Sequence, residues 1–228
     1  MSSPVDLQAL TLTLRLAIVT TALLLCIAIP LAAWIVFTRS RLRPLVEAVT
    51  TLPLLLPPTV LGFYLLVLLG PRTSFGRVWI ALTGHPLAFS FSGLVVGSMI
   101  YSLPFAVQPL VAGFSGVDLA LLDQALLLGA SKLRLLWRIL LPLSARSVVT
   151  ACVLCFMHTV GEFGVVLMIG GNIPGATRTL SILIYDQVQD FAYAQANRTA
   201  LLLVVVSLAA LVLLYSQRRN MFSEARRA

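Results

Sequence analysis

The chain alternates between long apolar runs and short polar segments. Five runs are long enough for membrane-spanning helices, since a helix needs about 20 apolar residues to cross the hydrocarbon core. They cover residues 10–37, 46–69, 87–111, 148–170 and 200–215. A sixth apolar stretch, residues 180–185, is too short to cross and soon meets Asp186 and Asp190. The pattern predicts an all-α fold: a polytopic bundle of five or six transmembrane helices that forms one domain over residues 1–228.

Prolines interrupt several of these runs. Pro30 lies in the first run, and Pro53, Pro57 and Pro58 lie in the second. A proline inside a helix costs about 3 kcal/mol or more. Membrane proteins tolerate it where neighbouring helices or a cavity satisfy the freed carbonyl. Two interpretations stay open: kinks that fit the bundle together, or a discontinuous helix that lines a pathway.

The composition excludes a soluble globule. Hydrophobic residues make up 59% of the 228 residues and charged residues only 11%, against about 25% charged in soluble domains. Five spans would use about 100 residues, which leaves no room for a nucleotide-hydrolysing domain. The sequence has no G-x-x-x-x-G-K-[ST] phosphate loop and no H-E-x-x-H motif. We therefore expect any ATP hydrolysis on another subunit, and no cofactor or metal on this one.

The net charge of +8 would indicate nucleic acid in a soluble protein, but here its distribution indicates topology and no nucleic-acid partner. With the N-terminus outside, residues 38–45, 112–147 and 216–228 face the cytoplasm. These segments hold eleven basic residues against four outside, so the positive-inside rule predicts N-out and C-in. The eleven are Arg39, Arg41, Arg43, Lys132, Arg134, Arg138, Arg146, Arg218, Arg219, Arg226 and Arg227, and the four are Arg72, Arg77, Arg178 and Arg198.

The inside loop 112–147 has a helix–glycine–helix pattern. Asp118 can cap a first helix over residues 119–128, and Gly129 suits its end because a positive φ is cheap for glycine. Ser131 can cap a second helix over residues 132–141, which Pro142 would end. The loop is too apolar to be freely solvated, so it indicates either an interaction site or a helix pair that lies on lipid.

The segment D-Q-A-L-L-L-G-A-S-K-L-R-L-L-W-R-I-L-L-P, residues 123–142, resembles the EAA loop of ABC importer permeases. That family pattern is Glu-Ala-Ala, three residues, Gly, nine residues, then Ile-x-Leu-Pro. Asp123 replaces the Glu and Gln124 replaces the first Ala. The resemblance implies a coupling helix that sits in a groove of a cytoplasmic ABC ATPase subunit. It assigns this coupling role to Asp118, Asp123, Gln124, Ala125, Gly129, Lys132, Arg134, Ile139, Leu141 and Pro142.

Further segments resemble molybdate permeases, with sulfate and tungstate permeases as close relatives. They are L-P-L-L-L-P-P-T-V-L-G-F-Y-L-L (residues 52–66), F-S-G-L-V-V-G-S-M-I-Y-S-L-P-F-A-V-Q-P-L (91–110) and G-E-F-G-V-V-L-M-I-G-G-N-I-P-G-A-T-R-T (161–179). The resemblance implies the type I ABC importer permease fold in the bacterial inner membrane. It also implies a second permease copy, a periplasmic molybdate-binding protein, and molybdate as substrate, with tungstate or sulfate as alternatives.

Glu162 is the one acidic residue deep in a predicted span, and such residues usually face the bundle or a cavity. His158, one turn earlier, is positioned to hydrogen-bond to it. The pair is a gate or interface pin in one interpretation and a structural polar contact between helices in the other. Glu162 is not expected to bind molybdate, because a carboxylate repels a dianion.

An oxyanion that must be released again suits backbone N–H groups at a broken helix end and hydroxyl groups. Thr59 follows Pro57 and Pro58, and Arg178 lies at the predicted outer mouth. Arg178 would attract the anion, contact a docked partner, or pair with membrane lipid headgroups. The expected path or gate residues are Pro57, Pro58, Thr59, His158, Gly161, Glu162, Gly164, Gly171, Asn172, Thr177 and Arg178.

Other functions fit less well, and we expect no catalytic residues. Residues 113–116, G-F-S-G, resemble the motif of intramembrane serine proteases with His158 as base, but Ser115 lies at the loop edge and His158 three turns into a span. A stand-alone channel gives no reason for the coupling pattern. Cys152 and Cys155 lack a second pair or histidine cluster for zinc, so they are interpreted as small core residues.

Overall fold

The computed structural model describes the backbone of residues 6–225 and the side chains of residues 6–212. Within residues 6–225 it contains helices and connecting turns and no strand, which confirms the all-α prediction. The helices are α1 (Leu7–Phe37), α2 (Arg43–Leu55), α3 (Pro58–Leu68), α4 (Ser74–Thr83), α5 (Phe91–Ser115), α6 (Leu119–Leu127), α7 (Lys132–Leu135), α8 (Leu141–Leu143), α9 (Ala145–Gly161), α10 (Gly164–Gly170), α11 (Leu180–Gln189) and α12 (Tyr193–Ala225).

Among the described residues, three helices are long and apolar enough to cross a membrane: Leu7–Phe37, Phe91–Ser115 and the Tyr193–Val212 part of α12. Two further pairs qualify only if each bent pair is one span. Arg43–Leu55 and Pro58–Leu68 meet at 114°, and Lys132–Leu143 and Ala145–Gly161 meet at 81°. The chain is thus a multi-pass bundle with three to five candidate spans, while the number of spans and the N-out orientation stay predictions.

Two predicted spans are broken. The span over 46–69 stops at Leu55 and restarts at Pro58, because neither Pro57 nor Pro58 has an N–H group to continue the helix. The span over 148–170 stops at Gly161 and restarts at Gly164. By contrast, Pro30 and Pro53 lie inside continuous helices. Within the predicted spans, the helix is therefore broken at Pro57–Pro58 and at Glu162–Phe163.

The main core lies between α1, α5 and α9. Leu24, Ile35, Leu110 and Phe114 are fully buried there, together with Cys155. Cys155 is thus a core residue, as interpreted from the sequence. A second cluster packs α10 between α3 and the first half of α5. The helices α11 and α12 lie against α9 on the outside of this bundle.

The loop over residues 112–147 contains the expected helix–glycine–helix unit. The Asp118 carboxylate accepts a hydrogen bond from the Ala120 N–H at 2.9 Å, and the Ser131 hydroxyl accepts one from the Arg134 N–H at 3.3 Å. Gly129 has φ +84°, a conformation that L side chains rarely adopt. These three features confirm both helix starts and the turn.

The end of the second helix was predicted wrongly. Pro142 does not stop it, because a π-helical turn over Leu136–Leu140 carries the helix on through Leu143. In that turn the Leu141 N–H bonds the Leu136 carbonyl, five residues back. This wider pairing accommodates a proline that has no N–H to donate.

Candidate functional site

The ends of two broken helices meet at one point of the bundle. α3 begins at Pro58, and α10 begins at Gly164 directly against it. A Cβ atom on Gly164 would lie 2.7 Å from the Pro58 Cβ atom. Only glycine therefore allows the start of α10 to approach the start of α3 this closely.

Glu162 lies in the break between α9 and α10, with an extended backbone conformation. Its side chain is 3% exposed, and neither carboxylate oxygen has a hydrogen-bond partner among the described residues. The Ser98 hydroxyl on α5 is also buried and unpaired. Ser98 lies close enough to interact with the carboxylate but without the geometry of a hydrogen bond. The junction thus contains a buried acid that nothing described satisfies.

His158 does not bond to Glu162, contrary to the prediction. Its Nδ1 atom is 2.9 Å from the Ser102 hydroxyl oxygen on α5, and that oxygen is 3.1 Å from Thr159 Oγ1. The imidazole stacks on Phe105 with 4.0 Å between ring centroids and tilts against Tyr101 at 4.7 Å. The i,i+4 relation assumed from the sequence fails because α9 ends at Gly161, before Glu162 is reached.

A cavity of about 510 Å³ opens at this junction. Six of the residues expected on the path line it, from both broken helices. Tyr101, Met157, Phe163, Leu167 and Met168 also line it and were not predicted, because apolar and aromatic residues inside spans carry no distinguishing signal. The six expected lining residues are Pro58, Thr59, His158, Gly161, Glu162 and Gly164.

The expected outer-mouth residues form a separate cluster that does not line this cavity. Asn172 Nδ2 donates to both oxygens of Asp186, at 2.7 and 2.8 Å, and accepts at Oδ1 from Arg178 Nε at 2.6 Å. Arg178 Nε also lies 3.6 Å from Asp186 Oδ2. Arg178 therefore already has a carboxylate partner, and Asp186 is a site residue that the sequence did not reveal.

Two expected mouth residues shape the turn itself. Thr177 is fully buried, and its hydroxyl donates to the Gly170 carbonyl at 2.7 Å. Gly171 has φ +64°. Both residues hold the chain in the reversal between α10 and α11. Pro57, which was expected on the path, lies directly before α3 and does not line the cavity.

The loop over residues 112–147 presents a surface that the described part of the chain does not cover. Leu127 and Leu128 are 88% and 89% exposed, and Leu133 and Trp137 are more than half exposed. Around them Asp118, Asp123, Gln124, Gly129, Lys132, Arg134 and Pro142 are exposed, whereas Ala125, Ile139 and Leu141 are half-buried. An apolar patch ringed by polar residues is typical of an interaction site.

The serine-protease alternative is wrong. Ser115 lies exposed in the last turn of α5, thirteen residues after Ser102, which contacts His158. At 1.5 Å per residue the two serines are about 20 Å apart along the helix. Ser115 is therefore far beyond the reach of His158.

Residues 24–223 match the profile of the "Binding-protein-dependent transport system inner membrane component" family. The chain belongs to this family. As a member, it is a permease subunit of an ABC importer and not an enzyme. The family also implies that an ATPase and a substrate-binding protein work with it.

Curated relatives of this permease include molybdenum permeases. It is 50% identical over 214 residues to "Molybdenum transport system permease protein ModB" of Azotobacter vinelandii, which covers 94% of this chain and 95% of that protein. The protein of the same name from Escherichia coli K12 is 34% identical, over 77% and 76% of the two chains. "Sulfate permease 2, chloroplastic" of Chlamydomonas reinhardtii is 32% identical, over 93% of this chain and 56% of that protein.

Solved structures confirm the permease fold. A chain of the inward-facing MetNI methionine ABC transporter matches with a TM-score of 0.73 and 17% identity, over 96% of this permease and 99% of that chain. A chain of a bacterial alginate ABC transporter, solved with its alginate-bound periplasmic protein, matches with a TM-score of 0.76 and 18% identity, over 94% and 78%.

Proposed function

We propose that this permease is the membrane-spanning subunit of an ABC importer that carries molybdate across the bacterial inner membrane. The main support for this proposal is the 50% identity to a molybdenum permease over 94% of the chain. A periplasmic molybdate-binding protein would deliver the anion from outside. ATP hydrolysis on a separate cytoplasmic subunit would drive its transport.

The coupling role of residues 123–142 is part of the proposal. The exposed patch around Leu127 and Leu128 supports docking into a groove of the ATPase subunit. Gly129 and the two capped helices give the segment a defined shape before it docks. In this assignment, Asp123 and Arg134 supply charges beside the apolar contact.

A second copy of the permease would complete the path, and membrane lipid would cover the rest of the apolar surface. The exposed side chains of Phe63 and Tyr64 on α3, and of Leu201 and Val204 on α12, support such coverage. The cavity at the α3–α10 junction would belong to the path, with Thr59 and the first N–H groups of α3 as donors for the anion. Gly171, Asn172, Thr177 and Arg178 would form its outer mouth.

The decisive experiment is competition uptake by the complete transporter in proteoliposomes, with ATP inside and loaded binding protein outside. Labelled molybdate should enter, excess tungstate should compete because its size and charge are nearly the same, and sulfate should compete weakly. Sulfate uptake that excess molybdate fails to reduce would instead support the second candidate, a sulfate permease, which the 32% identical sulfate relative favours.

A further inference from the structure

The Glu162 carboxyl group is buried without a described partner that would balance its charge. An ionised carboxylate taken out of water is costly unless it is paired or hydrogen-bonded. Glu162 is 3% exposed, borders the cavity, and has neither a hydrogen bond nor an ion pair among the described residues. None of the residues that the structure describes balances this group.

The described residues of the surrounding elements place no fixed positive charge at the cavity. α5 contributes Tyr101, and α9 contributes His158, whose described hydrogen bond goes to Ser102. Cys155 is the other titratable group of α9 near Glu162. The residues of α3 and α10 that line the cavity are uncharged. On the α11 side, the Tyr185 ring lies 5.1 Å from the Phe163 ring between centroids, and its hydroxyl accepts a hydrogen bond from Gln189 Nε2 at 2.8 Å. No lysine or arginine is among the residues that line the cavity.

The partial charges at the helix ends around Glu162 do not compensate an ionised carboxylate either. The C-terminal end of α9 carries partial negative charge and disfavours a further anion beside it. The starts of α3 and of α10, which begins two residues after Glu162, carry partial positive charge, but no N–H group of either helix donates to the carboxylate. Ser98 on α5 supplies a buried hydroxyl beside Glu162, and this hydroxyl has no hydrogen-bond partner among the described residues.

We propose that the Glu162 carboxyl group, together with Ser98, is a binding site for one small monovalent cation from solution, either a proton or an alkali ion. The proton case forms one O–H bond and takes the proton from hydronium; the alkali case adds oxygen contacts and breaks no bond. The role of this site rests on the proposed function. The bound cation neutralises the carboxylate in the cavity wall, so that a molybdate dianion is not repelled as it passes.

Infrared difference spectroscopy of the purified transporter in nanodiscs tests the site. The C=O stretch of a protonated carboxyl group is separate from the two carboxylate stretches. Spectra of the unmodified complex and of Glu162→Gln are compared at neutral pH in choline, Na⁺ and K⁺ chloride. The matched control is Glu47→Gln, because Glu47 is an exposed glutamate paired with Arg43 at 2.8 Å.

The proton is identified by a protonated-carboxyl band that is absent in Glu162→Gln, present in Glu47→Gln and the same in all three salts. A Glu162-dependent band that Na⁺ or K⁺ shifts relative to choline identifies the alkali ion. The proposal is overturned if Glu162 contributes no protonated band and no carboxylate band that responds to Na⁺ or K⁺.

A second variant covers the case in which Glu162→Gln does not assemble. Ser98→Ala keeps the carboxyl group and removes the adjacent hydroxyl, so it should shift the frequency of the same band. An unshifted frequency in Ser98→Ala would count against the site. Because the spectra need neither molybdate nor transport, their outcome is independent of the uptake experiment that tests the proposed function.

Discussion

At the scale of single residues, Gly164 determines how closely the two broken helices approach. We predict that Gly164→Ala destabilises the protein by about 1–3 kcal/mol, the usual cost of overpacking, because the new methyl group would lie 2.7 Å from the Pro58 Cβ atom. Thermal unfolding in detergent measures the loss.

The same break provides a matched control. A Cβ atom on Gly161 would meet nothing within 4 Å, so Gly161→Ala should leave the unfolding midpoint unchanged or slightly raised. Equal midpoints for Gly164→Ala and Gly161→Ala would show that the Pro58 contact does not limit packing at the junction.

Side-chain partners were the least predictable part of the site. The sequence identified Glu162 as an unusual buried acid, because charge inside an apolar run stands out. It could not reveal that His158 pairs with Ser102, which is 56 positions away. Nor could it reveal Asp186 as the partner of Asn172 and Arg178, since that contact depends on how the chain turns between α10 and α11.

At the scale of elements, the coupling loop depends on its glycine turn. We predict that Gly129→Ala lowers the molybdate taken up per ATP hydrolysed in proteoliposomes. A Cβ atom at φ +84° costs about 1–2 kcal/mol and changes the angle between α6 and α7. Paired assays of uptake and phosphate release give this ratio.

Gly84 is the matched control, because it has φ +79° at the end of α4 and nothing within 4 Å of a Cβ atom. Gly84→Ala should carry similar backbone strain yet keep the normal uptake-to-hydrolysis ratio. If both variants lower the ratio equally, general strain explains the effect and the turn has no specific role in coupling.

Local signals in the sequence predicted some elements well and others badly. The caps at Asp118 and Ser131 are interactions within three residues, so the pattern revealed both helix starts. The break at Glu162 and Phe163 contains no proline, and it depends on packing of α10 between α3 and α5. The helix α4 was missed because Ser74–Thr83 is too short to register as a span.

At the scale of the whole molecule, the charge distribution predicts the orientation. Arg41 and Arg72 are both exposed and lie on opposite sides in the N-out topology. We predict that a cysteine at position 72 reacts with a membrane-impermeant maleimide in intact cells. A cysteine at position 41 should react only in inverted vesicles.

The native cysteines Cys26, Cys152 and Cys155 lie within helices of the bundle, so the unmodified protein serves as the background measurement. Labelling at position 41 in intact cells, without labelling at position 72, would reverse the topology. It would also place the coupling loop outside, where no ATPase could reach it.

The helix α9 begins directly after a sharp bend at Ser144. Its hydroxyl donates to the Gly113 carbonyl at 3.3 Å, which ties the corner to the end of α5, and the preceding helix meets α9 there at 81°. α9 has 17 residues and therefore an arm of about 25 Å at 1.5 Å per residue. If α9 tilts by about 5° about this bend, its other end, next to Glu162, moves by about 2 Å. In the coupling role proposed for residues 123–142, a small rotation at the loop would therefore move the cavity end of α9 by the size of an atomic contact.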